Sequence, residues 1–299
     1  MINPSMTRMN GHDGVGLNVA TWPGARRGVV AVHGLTASHM AWQAIADALD
    51  GSWELVAMDR RGCGRSDKPT SPSDYGLNKT ADDTAAVIRD LGFDQVVLVG
   101  HSYGAFSVQQ TAVRHPDLVA GVIMVDGGFT VVPEGTDIPA LARLVLGPAL
   151  ARTDATFASV EEFVAPLRDI ASFRIAGEWN DYVQAYYEAD LEGEPPTLRS
   201  SASPVMAMAE FEAMAAPSLH DDLEKVKVPF HLIRAERGLL LTGEEPQVVP
   251  DVFVDLLRQR VLQLTEETVA DTNHYTVSLS ERGGRAIAAA IEKMAGEVL

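Results

Sequence analysis

One stretch of ten residues, 96–105, constrains the fold most strongly, and its sequence is VVLVGHSYGA. Its four leading valine and leucine residues predict a short strand buried on both faces, of the kind found in parallel sheets. Residues 105–114 have a helical composition that ends before Pro116, because proline lacks an amide hydrogen and disfavours helix in the residue before it. Between strand and helix lies a Gly-x-Ser-x-Gly motif centred on Ser102.

The two glycines of this motif, Gly100 and Gly104, lack the Cβ atoms that would collide in so sharp a chain reversal. Ser102 can therefore sit on a strained turn with its hydroxyl exposed above the sheet. The first turn of the following helix points free amides at the same place, and such amides stabilise an oxyanion. The motif can occur in any loop, but a strand before it and a helix after it favour a catalytic serine.

The composition is that of an ordinary globular protein. At 299 residues and 46% hydrophobic content, the chain is long enough for one large α/β domain, with or without an inserted lobe. A formal charge of −17 disfavours nucleic acid or an anionic membrane as a partner. Cys63 is the single cysteine and forms no internal disulfide, and the N-terminus lacks the pattern of a signal peptide. We therefore expect a cytoplasmic protein.

Strand and helix patterns alternate through the first half of the chain, which predicts a doubly wound, mostly parallel sheet with helices on both faces. From residue 129 to about 217 the apolar strand-like runs are absent and helix-forming residues dominate. The sheet pattern resumes at 229–233, followed by a helix at 252–260, a strand within 261–269 and a closing helix at 280–295. We thus predict a core of residues 1–128 and 218–299 with a helical cap formed by residues 129–217.

Four landmarks in this order resemble the α/β-hydrolase fold superfamily, and the resemblance covers essentially the whole chain. They are His33-Gly34 after a strand, Asp59-Arg60-Arg61-Gly62-x-Gly64-Arg65-Ser66, the motif around Ser102, and Asn273-His274-Tyr275 near the C-terminus. The resemblance implies a capped serine hydrolase of the carboxylesterase or lactonase kind. The fold itself hosts many chemistries, so function depends on the site residues.

Ser102 needs a general base, because an ordinary alcohol is almost never ionised at neutral pH. His274 lies in the loop where the family keeps that base. The resemblance places the oxyanion hole at the backbone amides of Leu35 and Tyr103. His101 is expected to pack beside the nucleophile. No histidine pair has metal-ligand spacing with nearby carboxylates or thiolates, so neither a metal nor another cofactor is predicted.

The acid of the triad is harder to assign. In most family members it follows the strand after the cap, but counting from Pro229 places Gly238 at that position. Asp126 ends the strand after the nucleophile's helix, which is the second place where the superfamily keeps its acid. We therefore predict Asp126 as the acid, with Glu236 as the alternative if the loop is rearranged. Without a catalytic role, Asp126 would cap the turn at Gly127 and Glu236 would be a solvated loop charge.

The expected substrate is a small or medium apolar ester or lactone, because cap residues with helical spacing and aromatic side chains would cover the site. Met206, Met208, Phe211 and Met214 could add an adaptable apolar wall. The residues expected to line the substrate pocket are His33, Phe129, Trp179, Tyr182, Tyr186 and Tyr275.

Three alternatives remain open on sequence alone. Cofactor-free haloperoxidases share the triad, and so do C–C bond hydrolases, although these usually carry a glycine-rich oxyanion loop unlike residues 33–38. A non-catalytic ligand receptor of the same fold could retain the serine for binding. Assembly as a homodimer is compatible with the sequence but is not indicated by any feature of it.

Overall fold

The computed structural model describes residues 1–174, 178–215, 220–239, 247–261 and 263–299, without the side chain of Pro148. Ten strands occur in these residues, and all but two short ones belong to one sheet. In chain order they are β1 (Ser5–Asn10), β2 (Gly16–Trp22), β3 (Arg26–Val32), β4 (Trp53–Asp59), β5 (Val96–His101), β6 (Val119–Val125), β7 (Leu191–Glu192), β8 (Arg199–Ser200), β9 (Phe230–Ala235) and β10 (Leu264–Val269).

The eight-stranded sheet has the order β1-β2-β4-β3-β5-β6-β9-β10. Strands β1 and β2 pair antiparallel, and β2 pairs antiparallel with β4. Every other neighbouring pair is parallel. The doubly wound, mostly parallel sheet predicted from the sequence is thus confirmed. Because the parallel strands all end at one edge, the residues that follow β3, β5 and β6 come together there.

Ten α-helices accompany the strands in the described part of the chain. They are α1 (Gln43–Leu49), α2 (Leu77–Asp90), α3 (Tyr103–Arg114), α4 (Ile138–Thr153), α5 (Val160–Arg168), α6 (Ala171–Arg174), α7 (Asp181–Asp190), α8 (Pro204–Met214), α9 (Asp251–Arg258) and α10 (Glu281–Val298). Helix α1 follows a short 3-10 turn, and Ser38 caps that turn by accepting a hydrogen bond from the Met40 amide at 3.3 Å. None of the described helices is long and apolar enough to cross a membrane.

Strand β5 lies at the centre of the sheet and contributes to both hydrophobic layers. Val96 and Leu98 pack on the side of helices α2, α3 and α9, whereas Val97 and Val99 pack on the side of α1 and α10. Successive side chains of a strand point to opposite faces, so a strand covered on both faces must be apolar throughout. This explains the uninterrupted valine and leucine run and gives the Ser102 turn a rigid base.

The segment between β6 and β9 contains helices α4 to α8 and the two-stranded β7–β8 pair. Four of these helices begin at a residue whose side chain accepts a hydrogen bond from the first turn, which satisfies amides that lack a partner within the helix. These N-cap residues are Asp137, Ser159, Asn180 and Ser203. The segment has its own small core, in which Phe163, Phe173 and Val183 are buried.

Candidate active site

Ser102 occupies the turn between β5 and α3 with φ 55° and ψ −119°, a backbone conformation that L-residues rarely adopt. Close backbone approach explains the flanking glycines. A Cβ on Gly100 would lie 2.2 Å from the Gly104 carbonyl oxygen, and one on Gly104 would lie 1.9 Å from the Val32 carbonyl oxygen. The Ser102 amide donates to the Val125 carbonyl at 3.0 Å, which ties the strained turn to the end of β6.

Three of the sequence-predicted residues meet beside this turn. The Oγ atom of Ser102 lies 3.1 Å from Nε2 of His274, and Nδ1 of His274 lies 2.7 Å from Oδ2 of Asp126. Asp126 is fully buried, and its other oxygen, Oδ1, accepts a hydrogen bond from the Ala235 amide at 3.1 Å. With Nδ1–H donating to a carboxylate, the lone pair of Nε2 faces the serine hydroxyl. This is the arrangement that a general base needs.

The alternative acid, Glu236, lies elsewhere. Its side chain is exposed, and its Oε2 atom accepts a hydrogen bond from the Asp271 amide at 2.8 Å. Gly238, at the usual acid position, has no side chain, but its carbonyl oxygen accepts the His274 amide at 3.2 Å. The loop after β9 therefore supports the backbone of His274, while Asp126 contacts its ring.

His101 contacts His274 more closely than the sequence indicated. The two rings are tilted with centroids 4.8 Å apart, and Nε2 of His101 lies 2.9 Å from the His274 carbonyl oxygen. Burial lowers the pKa of His101 to about 3, so the ring is neutral at ordinary pH and its Nε2–H donates to that carbonyl. His101 thus fixes the backbone and one face of the His274 ring.

The loop after β3 comes against the serine from the other side. A Cβ on Gly34 would lie 3.0 Å from the Cβ of Ser102, which is tighter than an ordinary contact and shows how closely the loop approaches the serine. His33 lies behind the loop and is fully buried, and burial lowers its pKa to about 3. Its Nε2 accepts the Arg60 amide at 3.0 Å, so Nδ1 carries the proton and donates to the Gly34 carbonyl at 2.9 Å.

A cavity of about 580 Å³ opens at the Ser102 hydroxyl and is lined mainly by apolar side chains from both the sheet edge and the inserted segment. Three of the predicted pocket residues, Phe129, Tyr186 and Tyr275, line it. Phe211 and Met214 of α8 line it too, whereas Met206 and Met208, the other two residues of the predicted apolar wall, do not. The cavity is also bordered by His101, His274 and Leu35.

The other three predicted pocket residues do not line this cavity. His33 lies behind the loop that borders the cavity, as described above. Trp179 precedes α7 and stacks on Tyr187, with ring centroids 5.8 Å apart and planes 4° apart. Tyr182 faces α1, where burial and then the Asp47 carboxylate raise the pKa of its phenol.

Several side chains that were not predicted from the sequence line the cavity instead. Tyr187 and Arg152 belong to this group, together with residues of α4 such as Val145. Met206 of the predicted methionine wall packs away from the cavity against Cys63. Helical periodicity suggests which residues share a face but gives no information about which neighbour covers that face.

Cys63 is fully buried, and burial raises the pKa of its thiol to about 12. A thiol in this state is a poor nucleophile, which agrees with a structural role. Among the described residues, no group of three or more histidine, cysteine, aspartate or glutamate side chains is arranged to hold a metal ion.

Comparison with known proteins places the chain in a family. A family model described as alpha/beta hydrolase fold matches residues 29–276. A 2-(acetamidomethylene)succinate hydrolase of Mesorhizobium japonicum is 31% identical over 215 residues, which cover 71% of each chain. Epoxide hydrolase B of Mycobacterium tuberculosis is 33% identical over 120 residues, but these make up 40% of this chain and 31% of that protein.

The solved structures agree with this placement. The crystal structure of E-2-(acetamidomethylene)succinate hydrolase superposes with a TM-score of 0.78 at 25% sequence identity, covering 98% of this chain and 100% of the other. The chain therefore belongs to the α/β-hydrolase fold family and is a hydrolase of that fold.

Proposed function

We propose that this protein is a serine hydrolase that cleaves a small or medium apolar carboxylic ester or lactone through an acyl-enzyme intermediate. The observation that carries the proposal is the chain of contacts from Ser102 through His274 to Asp126 at the wall of a largely apolar cavity. In this proposal residues 129–217 act as a cap, because their side chains form much of that wall.

The acylation step follows from the geometry. Ser102 Oγ attacks the acyl carbon while its proton passes to Nε2 of His274. Asp126 holds Nδ1–H and stabilises the imidazolium that forms. The negative charge on the acyl oxygen is stabilised by the amides of Leu35 and Tyr103, and one such donor contributes about 2.7–4 kcal/mol. Collapse of the intermediate expels the alcohol, which takes the proton from His274.

Deacylation reverses these roles. Water attacks the acyl-Ser102 ester as His274 Nε2 removes its proton, and the second tetrahedral intermediate releases the carboxylic acid as the serine hydroxyl is re-formed. With a lactone the alcohol and the acid are two ends of one product. The buried, neutral His101 supports His274 in both steps without competing for the proton.

Ser102 itself argues against two chemistries of neighbouring proteins. Epoxide hydrolases and haloalkane dehalogenases need a carboxylate where this chain has a serine. The partial match to an epoxide hydrolase therefore supports the shared fold rather than the reaction.

A panel of p-nitrophenyl esters from acetate to decanoate, with matched lactones, tests the proposal. We expect turnover that prefers apolar acyl groups, and a loss of about 10⁴-fold or more in Ser102→Ala. An unchanged rate in Ser102→Ala would contradict the proposal. Tight binding of apolar ligands without turnover would favour a receptor instead.

A second candidate is hydrolysis of an amide-type bond in a substrate that carries a carboxylate. The 31% identical relative is a 2-(acetamidomethylene)succinate hydrolase, and Arg152 of α4 lines the cavity. The Arg152 guanidinium lies 5.7 Å from the ring centroid of Tyr187. Burial raises the pKa of Tyr275, the residue beside His274, and the charge of Arg152 opposes that rise.

Paired substrates separate the two candidates. We would compare esters with N-acyl analogues, each with a neutral or a carboxylate-bearing acyl group, in wild type, Arg152→Met and Arg168→Met. Arg168 is a matched control, because it lies 5.5 Å from the Trp179 ring but outside the cavity. The second candidate requires amide turnover and a KM for carboxylate substrates that rises in Arg152→Met alone. A preference for neutral esters in all three proteins would support the first.

A further inference from the structure

Arg60 and Glu210 form an ion pair that solvent does not reach. Both side chains are fully buried, with Nη1 of Arg60 2.5 Å from Oε2 of Glu210. Arg60 directly follows β4, whereas Glu210 belongs to α8 in the inserted segment. Burial of two charges is costly, and it is compensated only where their remaining hydrogen-bonding groups are also satisfied. The other contacts of Arg60 are therefore informative.

Those contacts converge on the loop after β3. The Nε–H group of Arg60 donates to the His33 carbonyl at 3.1 Å, and Nη2–H donates to the Gly34 carbonyl at 2.8 Å. The Arg60 amide donates to the His33 ring, which in turn donates to the same Gly34 carbonyl. The Gly34 carbonyl thus receives two hydrogen bonds and has a fixed direction.

The direction of this carbonyl determines that of the Leu35 amide. A trans peptide is planar, so the carbonyl oxygen of one residue and the amide hydrogen of the next point in opposite directions. With the Gly34 oxygen directed at Arg60, the Leu35 N–H group points away from Arg60. Leu35 borders the cavity, and Gly34 lies against Ser102, so this amide belongs to the catalytic side of the loop.

The same guanidinium touches the second oxyanion residue. The Cζ atom of Arg60 lies 4.5 Å from the ring centroid of Tyr103, whose backbone amide begins α3. Burial first, and then the Glu210 carboxylate, raises the pKa of the Tyr103 phenol well above its usual value. Arg60 therefore contacts the carbonyl of the peptide that carries the Leu35 amide and the side chain of Tyr103, the second proposed oxyanion residue.

Helix α8 brings Glu210 and part of the cavity wall together. Phe211 and Met214 of this helix line the cavity. The helix is held on the turn after β4, where the Ser203 amide donates to the Gly62 carbonyl at 2.8 Å. We infer that the Arg60–Glu210 pair positions the Leu35 amide, so that docking of α8 completes the oxyanion hole and the substrate pocket together. This inference rests on the proposed function.

The double variant Arg60→Met/Glu210→Met tests it. Replacing both partners leaves no lone buried charge, so the protein should keep a Tm near that of the wild type. The Gly34 carbonyl nevertheless loses a donor. We expect the rate of Ser102 labelling by a fluorophosphonate, and kcat for the best ester, to fall about 10- to 100-fold, because a misdirected donor costs less than a deleted one. KM should change little.

The neighbouring Arg61–Asp83 pair gives a matched control. It is also buried, with Nε of Arg61 2.7 Å from Oδ2 of Asp83, and Arg61 also donates to two backbone carbonyls, those of His12 and Asp74. None of these groups belongs to the loop after β3. Arg61→Met/Asp83→Leu likewise leaves no lone buried charge, so its Tm should also stay near that of the wild type, and its labelling rate should be retained.

The outcomes are distinct. A labelling rate in Arg60→Met/Glu210→Met equal to that of the wild type, or an equal loss in the control, overturns the inference while Ser102 remains the nucleophile. If wild type and Ser102→Ala react alike with the probe, the proposed function fails and the inference fails with it. A lower labelling rate in Arg60→Met/Glu210→Met but not in the control, with Tm and KM retained, supports the inference.

Discussion

Asp126 and His274 are 148 residues apart in the chain, yet Oδ2 of the aspartate lies 2.7 Å from Nδ1 of the histidine. Asp126 follows β6, which is adjacent to β5 in the sheet, and His274 follows β10 at the sheet's edge. The Asp126 amide also donates to the Ile233 carbonyl at 2.7 Å, so the carboxylate is fixed by the end of β9. Two neighbouring strands thus carry the proposed nucleophile and the proposed acid at their ends.

Replacement of Asp126 by Asn tests this layout. An amide cannot stabilise the imidazolium and favours the wrong tautomer of His274, so kcat should fall by roughly 10⁴-fold with little change in KM. Steady-state kinetics on the best ester measures the effect. Glu236→Gln is the matched control and should retain activity, because its exposed side chain contacts the Asp271 amide instead. A larger loss of activity in Glu236→Gln than in Asp126→Asn would instead assign the acid to Glu236, in the loop after β9.

Gly104→Ala should destabilise the fold. The new Cβ would lie 1.9 Å from the Val32 carbonyl oxygen, and rigid backbone must move to relieve that overlap. We expect a loss of about 1–3 kcal/mol or more in the free energy of unfolding. Gly296→Ala in helix α10 meets only Nη1 of Arg26, at 4.0 Å, and should stabilise by about 0.5–1 kcal/mol. Urea unfolding measures the free energy of unfolding of both variants, and equal values would contradict the close approach of Gly104 to the Val32 carbonyl.

Stability should fall in mild acid because of buried neutral histidines. The pKa of His33 and that of His101 are each lowered from 6.5 to about 3 by burial. Between these values the unfolded chain binds more protons than the folded one, so the free energy of unfolding rises with pH and then levels off above 6.5.

His101→Gln removes one of these groups and keeps a side-chain donor for the His274 carbonyl. The slope of unfolding free energy against pH should become shallower by up to about 1.4 kcal/mol per pH unit within that window. Chemical unfolding at several pH values measures it. An unchanged slope would mean that His101 titrates normally in the folded protein.

Part of the site could be predicted from sequence because its determinants are local. The buried strand, the two glycines and the helix after Ser102 lie within one short segment, and each excludes most other structures. Asp126 was predicted as the acid because Gly238 leaves the usual acid position without a side chain. Edge strand β1 was not predicted, because its mostly exposed residues carry no alternating apolar pattern.

The cavity wall could not be predicted, because it depends on how separate helices pack. Trp179 was expected on the inner face of a helix, but α7 begins at Asp181 with Asn180 as its cap, so Trp179 lies outside the helical register. Tyr182 shares the helix with Tyr186 but faces α1 rather than the cavity. No local sequence pattern around Arg152 indicated that it would line the cavity. Such contacts follow from tertiary packing, which spacing along the chain does not encode.

The acyl-enzyme itself is the most direct test of the central claim. Rapid acid quenching of wild-type protein mixed with p-nitrophenyl butyrate, followed by mass spectrometry of the intact chain and its peptides, would locate the acyl group. We predict a transient butyryl adduct on Ser102 that decays as the acid is released, and no adduct in Ser102→Ala. Steady turnover without an adduct on Ser102, or with one on another residue, would contradict the account.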